Sequence, residues 1–244
     1  MLKAAEQGDS RAQCLLGGFY LFGEGVDIDK TEAFNWFKKS AEQGLPEGEI
    51  AFGSCFFQGN GTKEDKNEAV KWFRKAAESG LAEAQFCFGK CYIEGDGVET
   101  DMKEGVYWYR KSAEQGFAEA QYCLGNCYFT GNGIEQNETE AATCFRKAAE
   151  QGHAAAQNNL GVCFIKGRGV EQDYVEAVKL FRKSAEQGDV GGQFNLAITY
   201  DSGDGVEQDY VEAAKWYRLA AEQGHEEALE RLKELEPMWN FEEK

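Results

Sequence analysis

Apolar residues recur along this chain in two alternating helical phases. Ala84, Phe88, Gly89 and Tyr92 follow one another by four, one and three residues, a spacing that gathers them on one face of an α-helix. Ala69, Trp72, Phe73, Ala76 and Ala77 form a second stripe, whose small residues let helices approach closely while the aromatic pair fills the gap. Before each stripe of the second kind stands Asp or Asn, with Glu three residues on: Asp29/Glu32, Asp65/Glu68, Asp101/Glu104, Asn137/Glu140, Asp173/Glu176 and Asp209/Glu212. That is the pattern of a capping box, in which the first side chain caps the helix and the Glu reaches back to the cap residue's amide. Arg74 and Lys75 then favour the negative end of the helix dipole before Gly80 stops the helix.

Both stripes belong to one repeating unit. Ala-Glu-Gln-Gly or a near copy ends at Gly8, Gly44, Gly80, Gly116, Gly152, Gly188 and Gly224, always 36 residues apart. Paired glycines such as Gly95 and Gly97 recur in the same register and predict a turn between a helix A and a helix B. Neither helix can bury its stripe alone, so neighbours must stack, which predicts an all-α solenoid of about six 36-residue helix-turn-helix repeats. The units run 8–43, 44–79, 80–115, 116–151, 152–187 and 188–223, with a capping helix at 225–236; the solenoid thus covers 1–236 and a tail follows at 237–244. Met1–Gln7 reads as the end of a helix B without its helix A, and a start inside a longer array stays open. Lys233 stands where a repeat Gly belongs and Pro237 follows, which fits a polar closing helix; Trp239 and Phe241 lie in a fraying or docking tail.

The motif Ala-x-x-x-Leu-Gly-x-x-Tyr-x-x-Gly-x-Gly-Val, then Ala-x-x-Trp-Tyr-x-x-Ala-Ala-x-x-Gly, resembles the Sel1-like repeat, a relative of the tetratricopeptide repeat, and Ala120 to Gly133 follows it closely. Departures are local: Cys144 and Leu180 replace the Trp, Gly48 and Gly192 the Ala, and Ala197 a Gly. The resemblance implies a right-handed superhelix whose helix A faces line a concave groove.

Charge and composition narrow the chemistry. A formal net charge of −17 argues against binding a nucleic-acid backbone, and no apolar run approaches the roughly 18–20 residues that span a bilayer. No secretory signal pattern opens the sequence. Cys55, Cys91, Cys127 and Cys163 share one helix A phase in the core arc, Cys87 and Cys123 lie one turn earlier, and Cys14 and Cys144 stand apart. These read as reduced, buried thiols, because repeat copies are separated by roughly a helix packing distance, too far for a disulfide. Cytoplasmic placement follows, with a periplasmic or secreted location as the alternative where a signal peptide has been removed. A zinc site from Cys87, Cys91, Cys123 and Cys127 is the competing reading. His153 and His225 read as exposed residues, and Ser40, Ser112 and Ser184 as packing serines with no base in reach. The Gly-x-Gly turns follow no strand, so they are not phosphate loops, and the acidic turns lack calcium-loop order. No enzyme activity, metal or cofactor is expected.

What remains is a surface. On helix A, the arc opposite the core stripe carries Leu21, Phe22, Phe57, Phe86, Ile93, Tyr122, Phe129, Ile165 and Phe194, interrupted by Lys90, Asn126, Asn158 and Lys166. Apolar anchors with fixed polar points suit a peptide or partner helix; the plainer reading is that half of these side chains pack between repeats. The basic pairs on helix B, such as Arg110 and Lys111, read as solvated helix ends. The expectation is a non-catalytic interaction scaffold or adaptor, whose acidity suits a basic protein partner, as for an immunity or effector-associated protein. The alternatives are a hydrolase or small-molecule binder of the β-lactam-recognising kind, which the resemblance raises without matching residues, and a thiol-metal sensor.

Overall fold

The computed structural model describes residues 1–239, with side chains as far as Leu235. These residues form α1 (Leu2–Glu6), α2 (Ser10–Phe22), α3 (Lys30–Glu42), α4 (Pro46–Gln58), α5 (Lys66–Glu78), α6 (Ala82–Glu94), α7 (Met102–Glu114), α8 (Ala118–Thr130), α9 (Glu138–Glu150), α10 (Ala154–Lys166), α11 (Tyr174–Glu186), α12 (Val190–Ser202), α13 (Tyr210–Glu222) and α14 (Glu226–Trp239). There is no strand among the described residues. Even-numbered helices from α2 to α12 are the helices A and odd-numbered helices from α3 to α13 the helices B. The chain divides into two compact units, one of Met1–Ala120 with Asn132–Ile134, the other of Gln121–Gly131 with the chain from Glu135 onward.

Local chemistry sets each helix boundary. Asp101 Oδ1 accepts the amides of Lys103 and Glu104 at 3.0 and 3.1 Å, capping α7 as expected. Its own N–H, however, donates to the Tyr92 carbonyl at 3.0 Å, and the N-cap residues of the other helices B do likewise: Asp65 bonds Phe56, Asp173 bonds Phe164 and Asp209 bonds Tyr200. The capping-box expectation is therefore half right. The cap amide ties helix B to its own helix A, and the Glu is released for other partners: Glu104 accepts the Trp108 indole N–H at 2.8 Å, while Glu68 and Glu176 pair with Lys71 and Lys179. At the other end of helix A, Gly95 adopts φ +76°, a left-handed conformation that a side chain would strain, and its N–H closes the helix on the Cys91 carbonyl at 2.9 Å. The second glycine serves close approach, since a Cβ on Gly97 would collide with the Lys66 carbonyl at the start of the preceding helix B.

Packing follows the two stripes. Gly89 has no Cβ because one would lie 2.9 Å from both the Tyr109 ring and the Gly105 carbonyl; beside it, Phe88 meets Trp108 edge-on at 5.2 Å. A buried glutamine, unremarked in the sequence pattern, joins successive repeats. Gln85 Nε2 donates to the Ala77 carbonyl in the last turn of α5 at 3.3 Å, and its Oε1 accepts from Gln115 Nε2 at the end of α7 at 2.8 Å. Gln13, Gln157 and Gln193 repeat both bonds. This clasp satisfies a helix-end carbonyl that would otherwise lack a partner. Glu49 occupies the same place in the second repeat, buried, and pairs with Lys75 Nζ at 2.7 Å.

The last repeat closes on α14, where Arg231 grips Asp201 through two bonds of 2.6 and 2.9 Å and the Tyr217 hydroxyl donates to the same carboxylate at 3.2 Å. This helix runs through Pro237 to Trp239 rather than stopping at 236. The side chain of Trp239 and all of Phe241 lie outside the described residues.

Candidate functional site

Helices A leave crevices between them, floored by helix B rings. In the first unit, α2, α4 and α6 border a cavity of about 700 Å³ over Phe37, rimmed by Leu21, Phe22, Ile50, Ser54, Glu47 and Glu83. Beside it, a cavity of about 200 Å³ over Phe73 is lined by Ser54, Phe57, Phe86, Cys87, Lys90 and Glu94. In the second unit, α8 and α10 enclose about 210 Å³ over Phe145, lined by Asn126, Phe129, Asn159 and Val162. The floor rings are held in place by the helix A glycine beneath each, as Gly53 under Phe73 and Gly125 under Phe145, where a Cβ would meet the ring at under 3 Å. The same contact that packs a repeat thus shapes its crevice.

Seven of the expected groove residues line these cavities: Leu21, Phe22, Phe57, Phe86 and Lys90 in the first unit, Asn126 and Phe129 in the second. Lys90 is half exposed and lies 3.7 Å from Glu94; Lys166 is exposed. Several of the expected groove residues, inside and outside the cavities, also serve the packing of repeats. Phe86 stacks on Tyr109 of its own helix B at 5.4 Å and meets Phe117 ahead of the next helix A. Tyr122 stacks on His153 at 4.6 Å and Phe194 on His225 at 4.0 Å, so one aromatic phase is sandwiched between a helix B ring and the residue opening the next helix A. Ile93 abuts Gly105, and Ile165 packs at the margin of the second unit's core. Asn158 Oδ1 accepts from Asn195 at 2.8 Å, and Asn126 Oδ1 accepts from Asn159 at 3.1 Å.

The histidines are not the exposed residues expected. Each is half-buried and caps a helix, His153 Nδ1 accepting the Ala156 amide at 3.2 Å and His225 Nδ1 the Ala228 amide at 3.3 Å. Asn159 and Asn195 went unnoticed for an identifiable reason. They share the phase of Cys87 and Cys123, assigned to the core from the cysteines alone; asparagine in later repeats was the signal that this phase faces a polar crevice.

The polar chemistry is that of packing. Ser40 and Ser112 are fully buried and donate to the Ser10 and Ala82 carbonyls at 2.7 Å, and Ser184 donates to Asp189 at 3.0 Å. All eight cysteines are free thiols. Burial pushes Cys14, Cys55, Cys87 and Cys163 up to about 11 and Cys91 to about 12 from an ordinary 9.0. Among the described residues, no three His, Cys, Asp or Glu side chains gather as a metal would need, and no helix is long and apolar enough to cross a membrane.

A family model described as Sel1 repeat matches residues 10–45, 46–81, 82–117, 118–153, 154–189 and 190–225, each starting on a helix A. The fold is similar to the crystal structure of a protective antigen present in uropathogenic Escherichia coli strains, at TM-score 0.86 and 41% identity over 95% of this chain. The chain spans 50% of that protein's length. It is similar also to a Sel1 repeat protein from Oxalobacter formigenes, at TM-score 0.84 and 33% identity, covering 95% of this chain and 67% of the other. An immunity protein from Pseudomonas aeruginosa shares the fold at TM-score 0.53 and 17% identity, with 87% and 81% of the two chains covered. The comparison with curated proteins returned no match.

Proposed function

The chain belongs to the Sel1 repeat family, whose repeats generally mediate protein-protein interaction, and from that premise we propose that it is a non-catalytic scaffold binding a partner protein's segment in its helix A crevices. The observation that carries the reading is the set of crevices themselves, with aromatic floors and polar points such as Lys90 and Asn126 at their rims. The repeat serines Ser40, Ser112 and Ser184 donate to internal acceptors, which weighs against their serving as nucleophiles in the hydrolase alternative. Neutral buried thiols weigh against a thiol-metal sensor and support placement in a reducing compartment. A net charge of −17 favours a basic partner, whose approach it would accelerate at low salt, in keeping with an immunity or effector-associated role.

Phe86 and Tyr122 also hold repeats together, so filling a crevice is a cleaner test than emptying one. Affinity capture from the source organism's lysate should retain a protein on the native chain that is lost on Ser54→Arg or Val162→Arg, with Lys147→Ala as a control and helicity checked for all. Equal retention by every variant would remove the crevices as the binding site.

A further inference from the structure

Two asparagine pairs lie on the helix A side of the second unit, one joining α8 to α10 and the other α10 to α12. Asn159 donates to Asn126 at 3.1 Å and Asn195 donates to Asn158 at 2.8 Å. A carboxamide carries two N–H donors and a carbonyl with two lone pairs, so each pair spends one hydrogen and one acceptor site internally. Among the described residues, no other side chain or main-chain group is bonded to the Asn126 and Asn158 amide nitrogens or to the Asn159 and Asn195 carbonyls. Whichever way the carboxamides are turned, a pair presents one NH2 and one C=O side by side at a half-buried surface. That is the complement of one residue of an extended chain, whose own N–H and C=O face the same side.

The first pair forms part of the wall of the cavity of about 210 Å³, whose other lining is Phe129, Phe145 and Val162. An apolar cavity of roughly 150 Å³ already holds a benzene-sized group, so this one admits a single leucine- or phenylalanine-class side chain. Gly191 keeps the second pair open, since a Cβ there would come within 2.9 Å of Asn158 Nδ2.

We infer that Asn126, Asn159, Asn158 and Asn195 bind the main chain of an extended partner segment that places one apolar side chain in the cavity between α8 and α10. This rests on the reading of the helix A crevices as the binding site and deepens it. Recognition through peptide groups is tolerant of the flanking sequence, so specificity falls on the one apolar anchor.

The probe is a positional-scanning library of uncharged nonapeptides with one randomised apolar position, read by fluorescence anisotropy. A preference for a single apolar residue is expected. In the best binder, N-methylation of one or two main-chain amides should weaken binding at least tenfold. The double variant Asn126→Leu/Asn159→Leu, which removes both partners of a hydrogen bond and so should fold normally, is expected to bind at least tenfold more weakly and to lose the N-methyl penalty at one position. Binding that tolerates N-methylation throughout, or suffers the same penalty in native and variant chains, would overturn the main-chain role while leaving the crevice as an apolar binding site. Absence of binding by any library member would overturn both.

Discussion

Glu49 stands where other repeats place a clasping glutamine, and a carboxylate in an ion pair accepts hydrogen bonds but donates none. It cannot bond a helix-end carbonyl as Gln85 does, and its second-repeat counterpart of Gln115 is Ser79, which donates to Ala76 instead. Lys75 compensates from the rim, half exposed itself while the carboxylate is buried. Removing one partner of such a pair leaves a desolvated charge, and the exposed lysine end tempers the loss to about 1–3 kcal/mol. Lys75→Ala should therefore lower the urea midpoint clearly more than Lys147→Ala, whereas Glu49→Gln with Ser79→Gln should restore the clasp and cost little. Equal effects of the two lysine variants would show the carboxylate to be solvated after all. The thiols make a second case. Their raised values mean the folded chain holds protons that the unfolded chain releases above pH 9, so stability present below pH 9 should be lost as pH rises toward 11–12. At pH 7.5 a thiol-reactive disulfide reagent should label the native chain slowly and all eight cysteines rapidly in urea. Fast native labelling at Cys91 would contradict its burial.

At the scale of helices, the sequence is most legible where a boundary is local. Gly95 and Asp101 mark the end of α6 and the start of α7 because a left-handed turn and a side-chain cap are properties of single residues. What escaped it depends on a neighbour. The cap amide of Asp101 is spent on Tyr92, nine residues back, which a local motif cannot express, and Gln85 looks like a polar helix residue until the carbonyl of Ala77 and the side chain of Gln115 surround it. The crevice residues fall between these cases: helix phase placed Phe57, Phe129 and Asn126 at the opening, while Asn159 is signalled only by the change from cysteine to asparagine between repeats, and its partner only by α8 and α10 lying side by side. The released Glu gives a prediction of its own. The indole N–H groups of Trp36, Trp72 and Trp216 are buried without partners; beside the latter two, Glu68 and Glu212 pair with Lys71 and Lys215, whereas Trp108, preceded by Tyr107, bonds Glu104. Lys71→Tyr should free Glu68 for the Trp72 indole, leaving stability within about 0.5 kcal/mol of native or above it, since an exposed pair is worth little and a buried N–H is costly unbonded. A drop of more than about 1 kcal/mol would mean that Glu68 cannot turn to the ring.

For the whole molecule, charge and repetition pull against each other. A chain of stacked repeats gains stability from each neighbour interface, and the interfaces here are apolar rings over glycines, glutamine clasps and cap amides, none of which salt weakens much. Against them stands a net charge of −17, carried by every repeat but 152–187, a self-repulsion that the unfolded chain relieves by expanding. Salt acts on both sides of the surface electrostatics: it screens the repulsion, and it weakens ion pairs such as Lys179 with Glu176 and Lys38 with Glu42. The magnitudes decide the sign. Exposed pairs contribute about 0–1 kcal/mol each and most of those here are local to one helix, whereas the excess of 43 acidic over 26 basic residues acts over longer range among all the repeats but 152–187, where basic residues slightly outnumber acidic ones. Raising sodium chloride from 10 to 500 mM should therefore move the urea midpoint upward, with the same salt weakening capture of a basic partner. A midpoint that falls with salt would place the ion pairs, rather than the repulsion, in control of the fold's electrostatics.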